Sequence, residues 1–176
     1  MLTTFLLTVF VDLVAAVEIG VVLAALLFIR RMSEISNVSA ITGELGGDRV
    51  EPVDDPDAIE RREVPDHVVV FEIQGPFFFG AVDGFRDAAM SHRSTEDRII
   101  ILRMRMVPAI DATGLNVLAD FLRQCRKEKI GLILSGVLPD SQPMRAMEHY
   151  GLAAEIGKEN ICPHIDKALA RARALV

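Results

Sequence analysis

Residues 107–118 read Val-Pro-Ala-Ile-Asp-Ala-Thr-Gly-Leu-Asn-Val-Leu, and this stretch decides the fold. It places a turn of the form Asp-x-Thr-Gly-Leu between an apolar strand pattern and an amphipathic helix pattern. A carboxylate at a helix start accepts hydrogen bonds from the first-turn N–H groups and opposes the helix dipole favourably. We therefore expect Asp111 to cap the helix, while Thr113 and Gly114 keep the turn compact. The exposed N–H groups of such a turn are also a candidate contact for an anion or a partner.

Strand and helix patterns alternate on both sides of this turn. Short β-branched or apolar runs predict strands at 67–73, 98–104 and 130–135. The helix after the turn carries a single apolar stripe at helical spacing, which consists of Leu115, Leu118, Leu122 and Cys125. Two more helices are predicted. One is entered at 139–143 and can end at Gly151 through a left-handed cap, and the other begins near Pro163. The alternation indicates the α/β class, with a mainly parallel or mixed β-sheet covered by helices.

A second motif, Gln-Gly-Pro-Phe-Phe-Phe-Gly-Ala, occupies residues 74–81 and leads into a short predicted helix around Phe85. Together with the turn at Asp111, it resembles the STAS domain, the module shared by sulfate transporters and anti-sigma-factor antagonists. Three adjacent phenylalanines cannot all point inward in regular structure, so we expect at least one to face a partner surface or the base of the membrane domain. The candidates for that surface are Phe77, Phe78 and Phe79. The alternative is that they form a local core under the short helix.

The N-terminal residues 2–29 form an apolar run of membrane length. About 20 residues rising about 1.5 Å each span a hydrocarbon core of about 30 Å. Arg30 and Arg31 follow the run directly, and basic residues favour the cytoplasmic side of a membrane. The carboxylates Asp12 and Glu18 are costly at membrane depth and require partners from a protein interior or a wet cavity.

The same run resembles the last membrane segments of SulP-type anion permeases, through Phe-Val-Asp-Leu at 10–13 and Ala-Ala-Val-Glu-Ile-Gly at 15–20. This resemblance implies two short helices, at about 2–11 and 13–31. The alternative is a single anchor helix whose Asp12 lies near an interface and whose Glu18 pairs across an oligomer contact. The segment division is thus a membrane part at 1–32 with one or two transmembrane helices, an acidic linker at 33–63 and a STAS domain at 64–176.

The charge distribution restricts the classes of partner. Between Glu44 and Asp66 there are nine acidic and three basic residues, and their difference of six equals the formal net charge of −6. The acidity is therefore local and typical of a solvated linker. Because no basic stripe or aromatic-studded basic patch is present, nucleic acid is not an expected partner.

Side chains that could carry catalysis or bind a metal show no recognisable spacing. Cys125 and Cys162 lack the spacing of a zinc site and are predicted to be buried thiols. The four histidines are scattered, and the motifs of nucleotide-binding loops, serine hydrolases and zinc proteases are absent. We expect no enzyme activity, no cofactor and no metal.

The family resemblance implies a function. In anti-sigma-factor antagonists a partner kinase phosphorylates a serine directly after the turn aspartate, whereas this chain has Ala112, which carries no hydroxyl. The resemblance therefore favours the transporter branch. The chain would be the C-terminal regulatory or assembly portion of a secondary anion transporter, unable to transport alone. The alternative is a membrane-tethered STAS adaptor that binds a protein partner.

The expected partners follow from the same resemblance. They are the remaining transmembrane domain of a permease, a second subunit in a homodimer and a cytosolic regulatory protein. For nucleotide binding the only supporting feature is the helix start at Asp111. The expected location is the plasma or inner membrane, with the STAS domain in the cytoplasm.

Overall fold

The computed structural model describes residues 13–35, 37–40, 58–77 and 96–176, and the chain divides into two units between Ile35 and Ser36. The first unit contains helix α1 (Leu13–Ile35). Its large apolar side chains between Val14 and Phe28 are 40–65% exposed, and Glu18 is exposed on the same helix. Among the helices that these residues form, none combines the length and apolarity of a membrane span. Asp12 and the helix predicted at 2–11 lie outside the described residues, so the membrane segment stays a prediction.

The second unit is built on a five-stranded sheet with the order β1-β2-β3-β4-β5. Its four neighbouring strands β2 to β5 are parallel, and β1 pairs with β2 in the antiparallel direction. The strands are β1 (Asn37–Ala40), β2 (Val68–Gln74), β3 (Ile99–Met106), β4 (Gly131–Ser135) and β5 (Ile161–Cys162). The predicted α/β class with a mainly parallel or mixed sheet is therefore confirmed. β1 lies inside the stretch predicted to be linker, so part of that stretch belongs to the sheet.

Four helices and two single 3₁₀ turns lie among the described residues of this unit. They are α2 (Ala112–Lys127), α3 (Gln142–Tyr150), α4 (Leu152–Ile156) and α5 (Ile165–Arg173), with 3₁₀ turns at Ile59–Arg61 and Lys158–Asn160. The Ser141 hydroxyl caps α3 by accepting a hydrogen bond from the Met144 N–H group at 3.3 Å. Gly151 ends α3 in the left-handed conformation, with φ of 84°, as its position in the sequence predicted. The short helix predicted around Phe85 lies outside the described residues.

Successive residues of each strand point to opposite faces of the sheet. Both faces of the parallel sheet are buried, because each of them is covered by other elements. One face packs under α2, α3 and α4 through side chains that include Phe71, Leu102, Leu118 and Met147. The other face packs under α5 and the first 3₁₀ turn through side chains that include Ile59, Val70, Ile101 and Leu169. The predicted stripe on α2 is buried throughout, at Leu115, Leu118, Leu122 and Cys125.

The two cysteines lie on opposite faces of the sheet. Cys125 and Cys162 are both buried and form no disulfide, which confirms the prediction of buried thiols. Burial raises the pKa of the Cys162 thiol, and the nearby charges of Lys167 and Arg171 oppose this rise only partly. The cysteines therefore act as small apolar side chains in the core.

An ionic cluster lies at the carboxyl ends of β2 and β3. Glu72 and Arg103 are 2% and 1% exposed, and they stand opposite each other in the register of the two strands. The Arg105 Nε atom donates to Glu72 Oε1 at 2.8 Å, and Arg103 Nη1 lies 3.6 Å from the same oxygen. Because a buried carboxylate is stable only when it is paired, Glu72 depends on these guanidinium groups, and they depend on it.

Replacing Glu72 by glutamine should therefore lower the free energy of unfolding by about 3 to 5 kcal/mol, the usual cost of breaking a buried ion pair. The change keeps the shape of the side chain and removes only its charge. The matched control is Asp120→Asn, which breaks the exposed Arg123–Asp120 pair on α2 and should cost less than about 1 kcal/mol. Urea unfolding measures the free energy of unfolding of both variants. Equal losses would show that the buried Glu72 cluster stabilises the domain no more than an exposed ion pair does.

Candidate functional site

The turn between β3 and α2 is held by Asp111. Its carboxylate oxygen Oδ1 accepts from the Gly114 N–H group at 2.8 Å, and its carbonyl oxygen accepts from the Leu115 N–H group at 2.9 Å. The backbone of Asp111 is extended, as is usual for a residue that precedes a helix. The predicted capping role of Asp111 is confirmed.

Phe77 contacts the turn from the segment after β2. Its N–H group donates to the Ala109 carbonyl at 2.9 Å, and Phe77 forms a parallel bridge with Ile110. This backbone pairing brings Phe77 beside the first turn of α2, and its side chain is fully buried. Of the three candidates, Phe77 therefore belongs to the core, as the alternative of a local core implies for this residue. Phe78 and Phe79 lie outside the described residues, and their role stays a prediction.

Gly114 is required by this contact. A Cβ atom at position 114 would lie 2.3 Å from the Phe77 carbonyl oxygen and 2.8 Å from the Ile110 side chain. No side-chain rotation relieves a clash with a backbone carbonyl, so only glycine allows the helix start to approach this closely. Gly114 was predicted to keep the turn compact, and it does so through its close contact with Phe77 in a distant segment.

Gln142, the first residue of α3, fastens the other side of the turn. Its side-chain Oε1 atom accepts from the Ile110 N–H group at 2.8 Å, and its Nε2 atom donates to the Ile110 carbonyl at 3.0 Å. The Gln142 side-chain amide thus forms with the Ile110 backbone the two hydrogen bonds that a residue of a neighbouring strand would form. Sequence reasoning missed this residue, because a glutamine at a helix start is ordinary and its partner lies 32 positions away.

A second link joins the same two helices further from the turn. The Tyr150 hydroxyl donates to the Asn116 side-chain oxygen, which connects the last residue of α3 to the first turns of α2. The turn, α2 and α3 are therefore fixed to one another at two points.

The fixed turn presents Ala112 to solvent, with Thr113 partly exposed beside it. The Ala112 side chain is a methyl group. This position therefore has no nucleophile and no hydroxyl that a kinase could phosphorylate. Within 13–35, 37–40, 58–77 and 96–176, no group of three histidine, cysteine or acidic side chains could hold a metal ion. The arrangement is suited to contact with another protein surface. The prediction that Asp111, Ala112, Thr113 and Gly114 contact an anion or a partner stays a prediction.

Replacing Gly114 by alanine should destabilise the domain by about 1 to 3 kcal/mol, the usual cost of inserting a methylene into a packed site. Helix propensity alone would give a gain of about 1 kcal/mol, so a net loss shows that the contact with Phe77 dominates. Gly131→Ala is the matched control, since its added Cβ would lie 3.5 Å from the Ile99 side chain and 3.8 Å from the Arg98 carbonyl oxygen, both ordinary contact distances. Thermal unfolding distinguishes the two, and a stabilised Gly114→Ala variant would contradict the close approach.

The Gln142→Ala variant should lose about 1 to 2 kcal/mol, because it leaves both polar groups of the Ile110 backbone without this partner. Gln142→Glu should also lose stability, since a carboxylate accepts from the Ile110 N–H group but cannot donate to the carbonyl. Arg145→Ala, an exposed change on the same helix, is the control and should stay within about 0.5 kcal/mol. Equal stability of Gln142→Ala and the control would rule out the proposed fastening.

Comparison with known proteins identifies what these features resemble. The family model of the STAS domain matches residues 59–168. A putative sulfate transporter, YvdB of Bacillus subtilis (strain 168), is 31% identical over 164 residues, which is 93% of this chain and 28% of that protein. The chain therefore spans less than a third of the length of this curated relative.

Two solved structures are also similar. A crystal structure of a sulfate transporter family protein from Wolinella succinogenes is 42% identical, with a TM-score of 0.63, and covers 69% of this chain and 98% of its own. The STAS domain of a SulP transporter from Vibrio cholerae is 28% identical, with a TM-score of 0.55, and covers 64% of this chain and 86% of its own.

Proposed function

Because the chain belongs to the STAS domain family and is homologous to the STAS domains of SulP-type sulfate transporters, we propose that it is the C-terminal regulatory and assembly portion of a secondary anion transporter. In this proposal the second unit is the regulatory domain. The first unit contributes to the membrane part, and the anion path is formed by residues outside this chain.

The observation that carries the proposal is the extent of the alignment with YvdB. An alignment of 164 residues in a chain of 176 necessarily includes residues 13–164. It therefore covers both α1 and the STAS domain, and it supports the view that the two belong together in one transporter-type sequence. The exposed apolar side chains of α1 agree with a helix that packs against lipid or against further membrane helices.

The limited coverage supports a division of roles. Since the chain spans 28% of the relative, most of a transporter of that length would be supplied by other residues. Transporters built from repeats bind their substrate near the membrane midplane, between helices of both repeats. One or two helices cannot enclose such a path and also satisfy backbone polar groups in lipid. The first partner is therefore the remaining transmembrane domain, and a homodimer is the expected assembly.

The orientation follows from charge. Arg30 and Arg31 lie directly after the apolar run, and basic residues at such a position favour the cytoplasmic side. In the proposal, the STAS domain is therefore cytoplasmic and the apolar run lies in the plasma or inner membrane. Ala112 supports regulation by contact, since the position after the turn aspartate cannot be phosphorylated.

The proposal predicts that anion uptake requires this chain together with the missing upstream spans. Uptake of sulfate and of bicarbonate is measured separately in membranes that carry this chain alone, the upstream spans alone, or both. We expect uptake only with both. Uptake by a variant of the complete protein that lacks residues 36–176 shows how much the STAS domain contributes to the uptake rate or to assembly.

The other outcomes count against the proposal. Uptake by this chain alone would show that it contains the transport path. No uptake in any combination would instead favour a membrane-tethered adaptor, in which the STAS domain recruits a protein partner.

A further inference from the structure

Residues 58–64, which we call the strap, cross the face of the sheet that is covered by α5. Ala58 and Ile59 are 4% and 2% exposed. Ile59 belongs to the same buried cluster as Val68, Val70 and several α5 side chains, and Val64 packs against that cluster. The strap therefore packs on this face of the domain through the apolar side chains of Ile59 and Val64.

Polar contacts fasten the strap to α5 along its length. The Arg62 guanidinium makes a two-point pair with Asp166, with Nε 2.6 Å from Oδ1 and Nη2 3.1 Å from Oδ2. Its third nitrogen, Nη1, donates back to the Ala58 carbonyl at 2.8 Å. The Arg173 Nη2 atom, near the end of α5, donates to the Glu63 carbonyl at 2.8 Å. A two-point arginine–carboxylate pair fixes direction as well as distance.

The fastening is exposed to solvent on its Asp166 side. The Asp166 side chain is 66% exposed, whereas the Arg62 side chain is 16% exposed. The hydrogen bond from Arg62 lowers the pKa of Asp166. Burial opposes this effect in part, and the charges of Arg62 and His164 lower the pKa further. The pair is therefore ionised at neutral pH, yet it is open to solvent and to salt on one side.

The strap has little internal structure of its own. Its 3₁₀ turn is closed by the Arg61 N–H group to the Ala58 carbonyl at 3.4 Å and by the Arg62 N–H group to the Ile59 carbonyl at 2.9 Å. It joins neither the sheet nor an α-helix. Segments with few buried contacts open locally at a free energy far below that of global unfolding. The strap is also the end of the predicted acidic linker, directly before β2.

We propose that the strap is a releasable attachment, and that its opening and closing on α5 is the step by which the STAS domain regulates the membrane part. The attachment itself rests only on the contacts above, while its regulatory role rests on the proposed function. Arg62 of the strap binds Asp166 of α5, and Arg173 of α5 binds the Glu63 carbonyl of the strap, so a movement of the strap acts directly on α5.

Hydrogen exchange of the full chain tests the attachment. The Arg61 and Arg62 amides report strap opening, and the amides of Ile100, Ile101 and Leu102 report the sheet. Asp166→Asn should speed exchange at the two strap amides about two- to fivefold, as expected for loss of a partly exposed ion pair, and leave the sheet amides unchanged. Arg62→Met should speed exchange at least as much, because it also removes the hydrogen bond from Nη1 to the Ala58 carbonyl. The double variant should exchange about as fast as Arg62→Met, because Asp166→Asn then removes no further interaction between the two residues. Arg123→Met breaks a different exposed pair, on α2, and should not alter strap exchange.

Either of two results would overturn the attachment. Unchanged strap exchange in Asp166→Asn and Arg62→Met would show that the pair does not fasten the strap. Equal acceleration in the strap and the sheet would show that the strap opens only when the whole domain unfolds.

Anion uptake by the same variants, joined to the missing membrane spans, tests the regulatory role. Asp166→Asn and Arg62→Met should change the uptake rate in the same direction, whereas Arg123→Met should match the unchanged protein. A strap that opens faster with no change in uptake would refute the regulatory role. Absence of uptake in the unchanged protein would count against the proposed function, and the exchange result would still decide the attachment.

Discussion

The close approach between the first turn of α2 and the segment after β2 controls the geometry of the candidate site. Gly114 lies against the Phe77 carbonyl, so the helix can begin only where that segment allows. Phe77 in turn pairs with the backbone at Ala109, and Gln142 pairs with Ile110 from the opposite side. The turn therefore owes its shape to three parts of the chain, and a change in any of them displaces the others.

The two faces of the sheet support different parts of the domain. The face under α2, α3 and α4 supports the signature turn, and its links between helices are fixed by buried packing and side-chain amides. The face under α5 receives the strap, and its fastening is partly open to solvent. The cluster of Glu72, Arg103 and Arg105 lies at the strand ends, where its pairing ties β2 to β3. One domain thus combines a turn fixed from several sides with an attachment that, in our proposal, can open.

Much of the fold could be predicted from the sequence, because its signals are local. The cap at Asp111, the apolar stripe from Leu115 to Cys125 and the stop at Gly151 each depend on residues within a few positions. The features that were missed depend on distant partners or on short segments. β1 contains a single large apolar residue, Gln142 acts on a residue 32 positions away, and Phe77 is buried by a backbone pairing that no local pattern shows.

The short edge strands of the sheet have a consequence for how other molecules can approach it. β1 has four residues and β5 has two, so neither end of the described sheet offers a long row of open backbone groups. Long open edges invite strand addition and aggregation, and short ones limit both. Recognition by added strands, the mode of many peptide-binding domains, is therefore unfavourable for this sheet. Partners are directed to helix surfaces and loops, where side-chain identity, and not backbone pairing, decides which molecule fits.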